Sequence, residues 1–317
     1  MTDTQNEVFK TPVNKIRLFE HGAPGSQNLK LTRKYYTEDM PDGRVKHIVQ
    51  NITDLDIVPY IPDGIGNSTD RQRIPAVLII PGGAFRRLVY NFEGEDVAKW
   101  LNSMGIAAFV LECRLPSDEH DNAEDVPLID AMRAMRVIRG RAQEFGIDEA
   151  KIGVMGFSAG GFMAALLSTA YESDVYADYK YKDEYDKLSA RPDFAVCSYP
   201  VISIDDCIEA GKRYMSEEQV LERISDSKAK ILHKYNPDKL VRPDMPPVFI
   251  CETDDDRTTL SENSVGFYMA ARKAGVSAEL HIFRTGGHGY GCGDDFAQTG
   301  EWKVLFTKWI KSIGIIS

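Results

Sequence analysis

The sequence is poor in cysteine, in positive charge and in long apolar runs, and each shortage removes a class of protein. Its 317 residues include five cysteines: Cys113, Cys197, Cys207, Cys251 and Cys292. The number is odd and no Cys-x-x-Cys is present, which argues against a disulfide framework or a zinc ribbon. Cys113 and Cys197 sit inside apolar runs and read as buried thiols. No stretch approaches the ~18–20 apolar residues that a membrane helix needs. Lys plus Arg number 38 against 48 Asp plus Glu, a formal net charge of −10. A chain this acidic is repelled by phosphate backbones and anionic lipid, so neither nucleic acid nor membrane is an expected partner. Its densest basic stretch, Arg133 to Arg141, falls on the polar side of a predicted helix and reads as a solvated face. Met1 to Lys10 lacks the basic-then-apolar plan of a signal peptide. The cytoplasm is therefore expected, with a leader removed beforehand as the alternative. The glycines fit neither a phosphate-binding loop nor a strand-linked dinucleotide fingerprint, and no cofactor is expected. Asp118-Glu119-His120-Asp121, with Glu124 and Asp125, has the composition of a cation site. It lacks the helical spacing of zinc ligands, so it reads as a solvated loop and no metal is expected.

What remains is a globular composition, 43% hydrophobic and 27% charged. Residues 1–43 are polar and turn-rich, and read as an arm lying on a catalytic domain of residues 44–317. Two alternating β-branched runs, Val45 to Ile52 and Leu55 to Tyr60, predict an antiparallel hairpin. Then the texture changes. Ala76 to Ile80 is a continuous apolar run ending in Pro81-Gly82-Gly83, the mark of a strand buried on both faces. Val97, Trp100, Leu101 and Met104 keep helical spacing, and Ile106 to Leu111 is a second buried strand. Leu128 to Phe145 keeps helical spacing for five turns, and Ile152 to Gly156 is a third strand. Further strands are predicted at Phe194 to Tyr199, Val248 to Cys251 and Ala278 to Phe283. Helices follow at Glu262 to Ala274 and around Trp302 to Ile313. Such alternation predicts a mostly parallel central sheet with helices on both faces. Tyr171 to Lys187 and residues 205–241 interrupt the rhythm, the latter as a small inserted cap or an oligomer contact.

The strongest local signal is Gly156-Phe157-Ser158-Ala159-Gly160-Gly161. It follows a buried strand and opens an Ala-rich helix, the setting of a nucleophile elbow, in which a sharp turn exposes the serine oxygen. A capping serine in an ordinary turn is the plainer reading. A serine hydroxyl needs a base, and the base needs an orienting carboxylate. Three histidines follow Ser158. His233 lies in the inserted polar helix and His281 within a strand, whereas His288 lies in a glycine loop just past the last strand and suits the base. The acid belongs after the preceding strand, in Thr253-Asp254-Asp255-Asp256-Arg257, where chemistry alone does not separate Asp255 from Asp256. Acyl transfer also needs N–H donors for the oxyanion. The amide of Ala159 is one, and the loop Pro81-Gly82-Gly83-Ala84-Phe85 supplies the other.

Val77 to Phe85, Glu93-Gly94, Cys113 to Pro116, Ile152 to Gly161 and Ala278 to Gly289 together resemble the α/β-hydrolase esterases grouped with acetyl xylan and feruloyl esterases. These are related to hormone-sensitive-lipase-like enzymes and dienelactone hydrolases. The resemblance spans roughly Arg44 to Ile313 and implies the α/β-hydrolase fold. It implies Asp256 as the acid and Gly83 and Ala84 as oxyanion donors. Where the family carries a third glycine this chain has Ala84, whose Cβ narrows the acyl pocket and leaves the choice of donor pair open. Where the family often has histidine it has Phe162, a more apolar floor. Phe85, Glu93, Phe157, Phe162 and Tyr199 are the expected substrate-pocket residues, although Glu93 alone reads equally as a partner for a helix N-terminus.

The resulting expectation is a serine carboxylesterase acting on short-chain acyl esters, including acetylated carbohydrate of the xylan type, through an acyl-enzyme on Ser158. Its partners would be a small-molecule or oligosaccharide ester and, through the insertion, a second copy in a homo-oligomer. Because His288 must be neutral to accept the seryl proton, activity should fall on acidification. The alternatives are a prolyl-oligopeptidase-like serine peptidase and a non-catalytic ligand-binding homologue. Against the first, fewer than 80 residues precede the first core strand. Against the second, all three triad residues are present.

Overall fold

The continuous apolar runs form strands buried along their whole length, and they fix the centre of the molecule. The computed structural model describes residues 9, 13–65, 73–216, 218–220, 227–293 and 297–317. Its strands are β1 (Ile16–Arg17), β2 (Lys34–Asp39), β3 (Val45–Gln50), β4 (Asp56–Tyr60), β5 (Ile74–Ile80), β6 (Leu88–Val89), β7 (Ala107–Glu112), β8 (Ile147–Phe157), β9 (Ala195–Ser198), β10 (Val248–Thr253) and β11 (Ala278–Phe283). The main sheet has the order β1-β4-β7-β5-β8-β9-β10-β11. From β7 to β11 all neighbours run parallel. Only β4 and β1, at one edge, are antiparallel.

Every residue of β7, β9 and β10 is buried, which requires cover on both faces. The longer helices are α1 (Asp96–Ser103), α2 (Val126–Gly140), α3 (Ala159–Ala170), α4 (Ile204–Tyr214), α5 (Ser227–Lys234), α6 (Ser261–Lys273) and α7 (Trp302–Ser312). α2 packs on α3. α1 meets α7 through Trp100, whose ring lies 4.9 Å from Trp302 and 5.4 Å from Phe306. Consecutive parallel strands return through helices, so the loops after β5, β8, β10 and β11 gather at one end of the sheet, where ligands bind in such folds.

Four expectations are corrected. The run Val45–Gln50 does not pair with Asp56–Tyr60. It forms a hairpin with Lys34–Asp39 in a separate three-stranded sheet, order β2-β3-β6, while β4 joins the main sheet. Consequently the supposed arm is woven into both sheets: β1 pairs with β4, and the hairpin runs across residue 43. The five-turn helix stops at Gly140, and a separate turn covers Ala142–Phe145. Nor is Arg133 to Arg141 a solvated face. Arg133 is 4% exposed, lies 2.7 Å from Asp183 and 3.1 Å from Asp186, and stacks on Phe19 and Tyr185. Asp183 and Asp186 of the Tyr171 to Lys187 segment pair with Arg133 and Arg136, while Arg139 pairs with Asp193 and Arg141 with Glu144.

Among the described residues no helix is long and apolar enough to cross a membrane, and no group of three or more His, Cys, Asp or Glu comes together as a metal site. Asp118 and His120 face separate partners, the Ile52 amide at 3.1 Å and Ser26 Oγ at 3.0 Å. Cys113, Cys197 and Cys251 are buried thiols. The Cys207 side chain lies outside the description, as do residues 217 and 221–226 of the insertion.

Candidate active site

β8 ends at Phe157 and α3 begins at Ala159, so the turn from strand to helix is made at Ser158 alone. Its φ of 54° and ψ of −118° place a side-chain-bearing residue in a sparsely populated region, at a cost of about 1–3 kcal/mol. The surroundings hold it there, with Ser158 N donating to Ser198 O at 3.0 Å and Ser158 O accepting from Phe162 N at 3.0 Å. The flanking glycines are required by space. A Cβ at Gly156 would lie 1.9 Å from Gly160 O, and one at Gly160 would lie 2.0 Å from Ile80 O.

The histidine arrives on the loop after β11. Asp255 Oδ1 accepts from the amides of Gly286 (2.9 Å) and Gly287 (2.8 Å), and Thr253 Oγ1 donates to Gly287 O at 2.9 Å. These three bonds fold the loop back over the elbow. His288 Nε2 then lies 2.8 Å from Ser158 Oγ, and Nδ1 lies 2.6 Å from Asp256 Oδ2. An ionised carboxylate only accepts, so the ring proton sits on Nδ1 and Nε2 is left to accept from the seryl O–H. The two aspartates that chemistry alone did not separate thus take different places: Asp255 clamps the loop and Asp256 meets the imidazole. His281 pairs instead with Glu279 at 2.8 Å on β11, and His233 lies exposed on α5.

Asp256 is 2% exposed and accepts from the amides of Thr258 (2.7 Å) and Thr259 (3.0 Å). Burial alone would raise its pKa. His288 and these two amides outweigh that and hold the carboxyl below the usual carboxylate range. Thr259 was not singled out from sequence, yet its Oγ1 lies 3.0 Å from Asp256 Oδ2 and 3.3 Å from both His288 Nδ1 and Tyr199 O. The available signal was its place three residues after Asp256, within reach of that carboxylate.

Beside the serine, the loop after β5 carries Gly83, Ala84 and Phe85 at φ 139°, 56° and 59°. Gly82 O accepts from Val89 N at 2.9 Å and Gly83 O from Arg86 N at 3.2 Å. The amides of Gly83, Ala84 and Ala159, by contrast, donate to no acceptor among the described residues. A Cβ at Gly82 would lie 2.9 Å from Ser158 Cβ, so this loop abuts Ser158. Below it runs a small, largely apolar cleft lined by Phe85, Leu88, Cys113, Leu115, Pro116 and Met163 among others.

The expected pocket residues fall differently. Phe85 reaches that cleft, with Phe162 behind it in edge-to-face contact at 5.6 Å. Phe157, Phe162 and Tyr199 are fully buried and Glu93 is 4% exposed. Glu93 lies on a π-helical turn, Asn91–Glu95, ahead of α1. It accepts from Gly82 N at 2.8 Å and from Tyr199 Oη at 2.9 Å. Burial pushes its carboxyl up, against the opposing pull of His288, the Tyr199 hydroxyl and the Gly82 amide.

Known proteins are similar to this chain over much of its length. The BD-FAE family matches residues 63–270. The chain is 31% identical over 240 residues to an acetylxylan esterase of Xylanibacter ruminicola, covering 75% of this chain and 45% of that protein. It is 29% identical over 269 residues to endo-1,4-beta-xylanase B of Butyrivibrio fibrisolvens, covering 82% of this chain and 40% of the relative. It therefore spans less than half the length of these curated relatives. A solved structure, the acetyl ester-xyloside bifunctional hydrolase from Caldicellulosiruptor lactoaceticus, is 34% identical with a TM-score of 0.70. There the match covers 96% of this chain and 97% of that one.

Proposed function

Because the chain belongs to the BD-FAE family and has the α/β-hydrolase fold, we propose that it is a serine carboxylesterase removing short acyl groups, acetyl above all, from carbohydrate of the xylan type. The observation that carries this reading is the unbroken line Ser158 Oγ–His288 Nε2, 2.8 Å, and His288 Nδ1–Asp256 Oδ2, 2.6 Å. Ser158 Oγ attacks the ester carbonyl carbon while its proton passes to His288 Nε2. Asp256 keeps the ring oriented and stabilises the imidazolium that forms. The carbonyl oxygen becomes an oxyanion received by the Ala159 amide and by those of Gly83 and Ala84, whose N–H groups lack other acceptors among the described residues. His288 returns the proton to the departing alcohol, and water, activated by the same imidazole, then releases the acid from Ser158. The Ala84 side chain, on the loop that abuts Ser158, favours a short acyl chain.

The substrate class rests on the names of the acetylxylan esterase and the acetyl ester-xyloside hydrolase relatives. The test is a panel of p-nitrophenyl acetate, butyrate and octanoate, acetylated xylo-oligosaccharides, feruloyl esters and aminoacyl anilides. Acetyl esters should lead, kcat/KM should fall with chain length, and Ser158→Ala should cut the rate by a factor on the order of 10⁶. Preference for anilides would overturn the reading in favour of a peptidase. No turnover by folded wild type would favour a ligand-binding homologue.

A further inference from the structure

Glu93 and Tyr199 are 106 residues apart, both buried, and neither belongs to the three-residue line of the proposed reaction. Between them they reach both the loop beside Ser158 and the loop that carries His288. The two polar groups of Gly82 are pinned from opposite sides, its amide by Glu93 Oε2 at 2.8 Å and its carbonyl by Val89 N at 2.9 Å. The residues that follow, Gly83 and Ala84, carry the unclaimed amides, so the peptide planes that face the oxyanion are set by how residue 82 is held. The other carboxylate oxygen, Glu93 Oε1, accepts from Tyr199 Oη at 2.9 Å, and Tyr199 Oη in turn accepts from Gly291 N at 3.0 Å. Gly291 lies three residues past His288 on the same loop. The Tyr199 ring stands edge-to-face against the imidazole at 5.1 Å, and Tyr199 O lies 3.3 Å from Thr259 Oγ1 beside Asp256.

Both ends of this chain of bonds show that it is held under constraint. Tyr199 itself has φ 38°, a conformation a bulky residue adopts only when its surroundings dictate it. Ala84 and Phe85, past Gly82, lie in the left-handed region as well. A carboxylate buried with two donors on its two oxygens is a rigid tie, because breaking either bond would leave charge unsatisfied away from water.

We propose that Glu93 and Tyr199 are positioning residues, forming a buried strut that locks the oxyanion loop to the histidine loop so that the amide donors and the imidazole act on the same tetrahedral carbon. This inference rests on the esterase reading of the site and adds to it a requirement for register between two loops from opposite ends of the chain. The strut works through other groups and does not touch substrate. Its loss should therefore weaken the transition state and leave ground-state binding nearly intact.

The test uses the full chain with Glu93→Ala, Glu93→Gln and Tyr199→Phe, assayed on p-nitrophenyl acetate. Each is also titrated with an aryl trifluoromethyl ketone, to whose carbonyl carbon Ser158 Oγ adds, its proton passing to His288 and an oxyanion forming. Glu93→Ala and Tyr199→Phe should lower kcat roughly 10- to 100-fold, with KM changed less than about threefold. Their ketone affinity should fall in proportion to kcat/KM. Glu93→Gln keeps an acceptor for one of its two donors and should fall between wild type and Glu93→Ala. The double variant should lose much less than the product of the two single losses. If Glu93→Ala does not fold, Tyr199→Phe, which removes one oxygen from a filled space, carries the test. Wild-type kcat in Tyr199→Phe, a change confined to KM, or a lowered kcat with unchanged ketone affinity would overturn the strut. A wild type that neither turns over esters nor binds the ketone would overturn the esterase reading, and this inference with it. Active wild type with variants that match it would reject the strut alone.

Discussion

At the scale of single residues, His288 and His120 illustrate opposite uses of one side chain. His288 is tied to a carboxylate. His120, 5% exposed, is placed so as to refuse a proton. Arg114 Nη1 donates to Ser26 Oγ at 2.6 Å, which leaves the Ser26 hydroxyl to donate to His120 Nδ1 at 3.0 Å. Nε2 has no partner among the described residues. Burial first, and the Arg114 charge second, push this imidazole down to about 4. An unfolded histidine titrates near 6.5, so between about pH 6.5 and 4 the unfolded chain binds the extra proton, and stability falls as pH falls through that window. Burial pushes Asp118, in the same loop, up to about 6, and it works in the opposite direction. The clean measurement is therefore a comparison of wild type with His120→Asn by urea unfolding. Wild type should lose about 2–3 kcal/mol more than the variant between pH 7 and pH 4.5. Parallel pH profiles would contradict the account.

At the scale of elements, the end of β7 is where the N-terminal segment is fastened. Arg114, just past β7, is wholly buried and pairs with Asp130 of α2 through Nε at 2.9 Å and Nη2 at 2.5 Å, while its own amide donates to Asp130 Oδ2 at 2.7 Å. Its remaining nitrogen reaches Pro24 O and Ser26 Oγ. Two residues earlier, the fully buried Glu112 takes Lys15 at 2.6 Å and Arg33 at 2.5 Å. Removing one partner of such a pair strands a charge away from water. Asp130→Ala should accordingly cost about 3–5 kcal/mol in urea unfolding, whereas a loss under 1 kcal/mol would show that Arg114 finds other partners. These contacts explain why the segment before residue 44 read as an arm. Tyr35, Tyr36 and Thr37 were strand residues set among charges, and those charges answer ones far along the chain, which no local pattern records. The alternation in Val45–Gln50 announced a strand correctly but not its partner. Asn51, at φ 55°, lies between β3 and β4, yet the chain there changes sheets and does not turn back.

At the scale of the whole molecule, the parallel core from β5 onward was legible because Ala76–Ile80, Ile106–Leu111 and Val248–Cys251 are unbroken apolar runs spaced by helical patterns. The site followed from it, since the loops after β5, β8, β10 and β11 carry Gly83–Ala84, Ser158, Asp256 and His288 to one end of one sheet. Parts of that end were not legible. Asp255 and Asp256 are chemically alike and differ only in which way a loop turns. Glu93 and Tyr199 resembled pocket walls because sequence shows polarity and size but not the partner that consumes them. The covered face of α2 was not legible for a related reason: Asp183 and Asp186 lie in a segment that interrupts the strand–helix rhythm and has no local pattern pointing to α2.

The central claim is that these loops bring one serine into a state in which it becomes covalently acylated or phosphonylated. The most direct measurement is intact-mass spectrometry with peptide mapping after brief exposure to a fluorophosphonate. One adduct per chain is expected, on Ser158, absent in Ser158→Ala and slowed at least a thousandfold in His288→Ala on the scale of triad losses. A folded protein that takes up no adduct, or takes it up elsewhere, would contradict the account.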